Sequence, residues 1–240
     1  MPSEALRSLM GVRFTEGPFR PYALAIGQAA LAWNDLHEHL GRLYGIVLTR
    51  SVRTAQLEEW QRSRVDGEKR KWLGKAVGEM EREPPGWTEE LRLYVPWLLT
   101  EIGDIEDRRN NAVHVPLHLV VDVDALSIQD RAHFLKVGEV RAHTWAHNRR
   151  AQKIAEKELL TEYRACRDAA VDVRDYVRLI GNCVEQRRHR QENVAWPRVS
   201  SRLLARAPES IRQHQARTAW PAWALKQLRE SKRKNPGGRG

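Results

Sequence analysis

Arg109, Asn110 and His114 stand within six residues in the stretch "RRNNAVHVP", Arg108 to Pro116. Together they hold the side-chain types needed to break a phosphodiester by attack of the ribose 2′-OH. That reaction needs a group near neutral pH to take or give a proton, and imidazole can do either. It needs a fixed cation on the phosphate, and the planar guanidinium of Arg109 stays charged throughout. An amide beside the arginine, Asn110, can orient it or donate to a phosphate oxygen. Arg108 would add a second, weaker phosphate contact. This chemistry calls for no metal and no cofactor.

The same residues have a plainer reading. Arg, Asn and His near a helix C-terminus satisfy free carbonyls and favour the negative end of the dipole. The loose spacing also recurs, since Arg108 with His114 and Arg141 with His147 fit it. Requiring Asn directly after the Arg and a His four residues beyond reduces the chance expectation to a few per cent. If the helix continues through the motif, five residues turn it by about 500°, leaving Arg109 and His114 roughly 140° apart. They converge better if the helix unwinds after Asn111, or if a second chain completes the site.

The elements that must position the motif are helical. "YALAIGQAALAWNDLHEHLGRLYGIVL" places Trp33, Leu36, Leu40, Leu43 and Val47 on one apolar stripe, punctuated by Asn34, Asp35, His37 and Glu38. Residues 54–80 read as two short helices or one kinked at Gly67. After Pro84-Pro85-Gly86, Thr88 is the expected N-cap of a helix striped by Leu91, Tyr94, Val95, Leu98, Leu99, Ile102 and Ile105, limited by Pro116. "LHLVVDVD" alternates as a strand, with "AHFLKV" as its expected partner. A long amphipathic helix follows from about Asn148, its buried face marked by Tyr163, Ala170, Val173, Val177, Ile180 and Val184. The expected fold is mainly α, an up-and-down helical bundle with a small β-hairpin before the last long helix. Residues 1–17 form an N-terminal arm, 18–186 the bundle and 187–240 a basic, partly disordered tail.

Charge is unevenly spread. The net charge is +10, and residues 187–240 carry 14 lysines and arginines against three acidic residues, so the bundle itself is close to neutral. Arg187, Arg188 and Arg190 open that tail and are candidate RNA contacts, while Trp196, Trp220 and Trp223 can stack on bases or pack back on the body. Asn34, Asp35 and Glu38 read from the sequence as an exposed helix face. Asp104, Glu106 and Asp107 are expected to be solvated or arginine partners. His143 and His147 have the spacing of two metal ligands, but no third ligand accompanies them. The two cysteines, Cys166 and Cys183, fall on one helix about 25 Å apart, too far to bridge. With no apolar run of membrane-spanning length and no signal-peptide pattern, a cytoplasmic protein is expected.

The six residues "RNNAVH" resemble the Arg-x(4–6)-His signature of the HEPN superfamily, and "LAWNDLHEHLGRLYGIVL" is similar to the first helix of bacterial HEPN-like proteins. The resemblance covers roughly residues 20–186. It implies a HEPN-like helical bundle that pairs as a homodimer, with two motifs facing each other across a cleft. It further implies a metal-independent endoribonuclease acting on RNA, of the kind found in toxin–antitoxin and antiphage systems, with an antitoxin or other protein partner. By motif match Arg109 and His114 are catalytic and Asn110 supports them, and the resemblance offers Asn34, Asp35 and Glu38 the alternative role of lining the cleft opposite the motif. The alternatives are a non-catalytic helical interaction module of a two-component complex, and a nucleic-acid-binding protein acting through its basic tail.

Overall fold

A computed structural model of the chain describes residues 17–49, 54–80, 87–120, 139–142, 149–154, 157–190 and 194–218. A 3-10 turn, Gly17–Phe19, leads into α1, Arg20–Thr49. Pro21 sits in the first turn of α1, where a missing N–H costs nothing. Then follow α2 (Thr54–Arg62), α3 (Asp66–Glu79) and α4 (Trp87–His114). Two strands come next, β1 (Leu117–Val120) and β2 (Glu139–Ala142), then α5 (Arg149–Ile154) and α6 (Leu159–Arg190). Two short C-terminal helices, α7 (Ser201–Leu204) and α8 (Glu209–Thr218), close the order.

The core is built on α1, α4 and α6. Asp35 meets Arg174 and Ile46 meets Gly181, so α1 and α6 run parallel. Ile105 lies near Cys166 and Glu90 near Arg187, so α4 runs antiparallel to α6. The chain is thus a mainly helical, up-and-down bundle. Leu36, Leu40, Leu43, Leu91, Leu98, Ile102, Val173 and Ile180 fill its centre with almost no exposure. A smaller cluster, with Ala25, Ala112, Val115, Ala142, Ile154 and Tyr163, ties the end of α4 to the strands and to α5. Among the described residues no helix is long and apolar enough to cross a membrane.

Several local expectations need correction. The break between α2 and α3 falls at Ser63–Val65, where the Ser63 hydroxyl bonds the Val65 backbone, and Gly67 lies inside the first turn of α3. Thr88 is buried within α4 and does not cap it. Among the described residues β1 pairs with Glu139–Ala142, antiparallel with Leu117 opposite Ala142; "AHFLKV" lies outside the described residues. The last long helix is divided into α5 and α6, and the Glu158 carboxylate accepts from the Leu160 and Thr161 amides at the start of α6.

The boundary expected at residue 187 falls within α6. Beyond it, Trp196, Val199, Leu203, Ala207 and Ile211 are buried in the main core. Ser200 caps α7 by accepting from the Leu203 amide. Residues 194–218 therefore belong to the bundle. The N-terminal arm to residue 16, His143, His147, and the end of the tail with Trp220 and Trp223 lie outside the described residues.

Candidate functional site

The helix carrying the motif does not unwind at Asn111. It continues to His114 and stops two residues before Pro116, which disfavours helical geometry in the residue before it. Arg109 and His114 consequently diverge by roughly 140° around α4. His114 is exposed at the helix end. Arg109 is half-buried and turns toward α1 and α3. Its Nη1 donates to Asn110 Oδ1 at 3.0 Å, so the amide holds the guanidinium as expected. Its Nε has no hydrogen-bond partner, and no carboxylate pairs with it among the described residues.

Arg109 borders a pocket of about 400 Å³ between α1, α2, α3 and α4. The local sequence explains its walls. Trp33, Asn34, His37 and Glu38 recur at helical spacing on one side of α1. Gly41 lets α2 bring Trp60 against them, since a Cβ there would stand 2.8 Å from the Trp60 ring. Asp66 and Lys69 come from the first turns of α3. The rings of Trp33 and His37 lie 4.5 Å apart, and those of His37 and Trp60 6.3 Å. Trp33 Nε1 donates to Asp66 Oδ2 at 3.1 Å, and Trp60 Nε1 to the His37 carbonyl at 3.0 Å.

His37 is the unusual member. It is 7% exposed, yet neither ring nitrogen has a hydrogen-bond partner among the described residues. Asp66 Oδ1 stands 3.6 Å from Nδ1, close enough for electrostatics and too far for a hydrogen bond. Burial pushes the imidazole down to about 4, Asp66 opposes this, and Lys69, Arg70 and Arg109 reinforce it. The ring is neutral at pH 7. Arg42 is ion-paired with Glu38, and Lys69 with Asp66, so among the described residues Arg109 is the charge of the pocket without a counter-charge.

The other expected contacts scatter. Arg108 is exposed and borders a separate cavity with Lys153 and Lys157. Arg187 turns inward: it pairs with Glu90 at 2.6 Å, donates to the Val194 carbonyl at 2.7 Å and lies over the Trp196 ring. Its charge is spent inside the fold, so it is not available to RNA. Arg188 and Arg190 lie on the last turn of α6, and their side chains fall outside the described residues. Arg202 and Arg206 of the former tail pair with Asp172 and Glu101 of the bundle. Trp196 packs inward and donates to the Tyr176 hydroxyl. Of the polar residues on α1, Asn34 and Glu38 reach the pocket, whereas Asp35 binds Arg174. Glu106 pairs with Arg70, and Asp104 and Asp107 are exposed. Cys166 and Cys183 are free and buried on α6. Among the described residues no cluster of His, Cys, Asp or Glu could hold a metal ion.

Sequence reading singled out Arg109 and Asn110 and missed His37. The available signal was position: His37 falls four residues after Trp33 and three before Leu40, on the buried side of α1. In comparison with known proteins, the chain matches no family model, no curated protein and no solved structure.

Proposed function

We propose that the chain is a metal-independent endoribonuclease of HEPN type, working as a homodimer in a defence or toxin–antitoxin setting. The observation that supports this is Arg109, a guanidinium without a counter-charge among the described residues, steadied by Asn110 in the wall of a pocket. In the proposed reaction the 2′-oxygen attacks the adjacent phosphorus and the bond to the 5′-oxygen breaks. The 2′-OH proton passes to a base, and an acid protonates the leaving 5′-oxygen. Arg109 stabilises the charge on the phosphate oxygens, and His114 carries one of the two protons.

Because Arg109 and His114 diverge on one α4, the reading requires His114 of a second copy to approach Arg109. Mixing Arg109→Ala and His114→Ala chains should therefore restore part of the activity that each lacks alone. The assay is RNA cleavage in excess EDTA with detection of 2′,3′-cyclic phosphate ends. Undiminished cleavage by His114→Ala would sink the assignment. The same divergence also favours a second reading, a non-catalytic helical interaction module, which predicts no cleavage by either variant or by the mixture.

A further inference from the structure

The reaction above moves two protons, and the motif supplies one histidine. We propose that His37 is the second. The pocket binds one RNA phosphodiester on Arg109, with His37, steadied by Asp66, accepting the 2′-OH proton. The inference rests on the reading of Arg109 as the phosphate ligand.

Three observations carry it. His37 is more than nine-tenths buried with both ring nitrogens unpartnered, in a cavity with room for a ligand. A buried polar group without a partner is rare and calls for one. Second, Arg109 in the same wall also has a buried Nε without a partner among the described residues, so one pocket is lined by two residues with unmatched nitrogens. Third, Arg42 and Lys69 are offset by Glu38 and Asp66, leaving one net positive charge among the described lining residues. That matches a phosphodiester, which carries one negative charge, better than a doubly charged phosphate end. The rings of Trp33 and Trp60, each 3% exposed, pack beside the His37 ring in the pocket wall.

The neutral imidazole takes the 2′-OH proton as the 2′-oxygen bonds to phosphorus. His114 of the second copy gives a proton to the departing 5′-oxygen. The charged groups facing His37 are Asp66, Lys69 and Arg70 on α3 and Arg109 on α4, while α2 presents Trp60. A bound phosphodiester adds a negative charge to this set and raises the proton affinity of the ring. Asp66 acts as a positioning residue.

The test uses the full chain labelled with 15N-histidine and two ligands, cleavable RNA and the same sequence as DNA. The His37 resonances, assigned by their loss in His37→Gln, should move on adding the DNA and stay still in Arg109→Ala. With RNA, His37→Gln should lose about 100-fold in kcat/KM and lose the acidic limb of its pH profile. Asp66→Asn, which keeps an acceptor for Trp33, should shift that limb to lower pH. Cleavage by His37→Gln at the wild-type rate, or a His37 resonance indifferent to DNA, would overturn the proposal even with the endoribonuclease reading intact. A moving resonance with no cleavage by any form would instead remove that reading and the catalytic role of His37 with it.

Discussion

Two clusters of aromatic and polar side chains share helix α4. In the first, near its N-terminal half, the Tyr94 hydroxyl meets Gln215 Nε2 at 2.7 Å and His214 Nδ1 at 2.9 Å. Gln215 Oε1 accepts from the Val199 amide, Trp196 donates to Tyr176, and Arg187 is closed off by Glu90. Trp97 Nε1 and, on the same half of the helix, Thr88 Oγ1 are buried without a partner among the described residues. The second cluster, around Trp33, His37 and Trp60, has the same ingredients and leaves an imidazole and a guanidinium partly unmatched. The contrast separates two uses of buried polarity. Matched groups fix a unique packing, and unmatched groups hold a free-energy penalty that a ligand's oxygen atoms would relieve.

The sharpest way to break this contrast is to remove each arginine. Arg187→Ala leaves Glu90 uncompensated and should cost about 3–5 kcal/mol, on the order of 10 °C in Tm by calorimetry. Arg109→Ala should cost less than about 1 kcal/mol. Equal losses would mean that the two clusters do not differ in kind.

Next in size is a pH effect. The folded value for His37, about 4, lies below its unfolded value near 6.5. The unfolded chain therefore binds the proton first, so stability is complete above pH 6.5 and falls as pH drops toward 4. The loss should be at most about 3 kcal/mol, read from urea midpoints at pH 7 and 4.5. In His37→Leu this part of the slope should vanish, and an unchanged slope would assign the effect elsewhere. Gly41→Ala should cost about 1–3 kcal/mol in thermal melts, because the new methyl displaces the Trp60 wall. Smallest is His37→Leu at pH 7, expected to be neutral or slightly stabilising, since it removes a polar group that has no partner.

Much of this frame is legible in the sequence, and the reasons for the rest are physical. The stripe from Leu91 to Ile105 and the stop at Pro116 place the motif at a helix end. The packing of Trp33 and Leu36 follows from three- and four-residue spacing. What spacing cannot deliver is a pocket made by separate segments. Asp66 reaches Trp33 and His37 only because α3 folds back along α1, a contact across some thirty residues. His37 therefore reads locally as one more polar residue among Asn34, Asp35 and Glu38. The tail misleads for another reason. Counting arginines treats 187–240 as one basic body, whereas Trp196, Leu203 and Ile211 anchor its first half, and Arg187, Arg202 and Arg206 find acids already waiting on the bundle.

Helix α4 also sets a distance. Tyr94 and Arg109 lie about 22 Å apart along its axis, well beyond the roughly 8 Å over which charges act through physiological salt. Substitutions at the two ends should be additive. The chain can then vary what it holds at one end while the other end keeps it folded, so specificity and robustness are free to evolve on separate schedules.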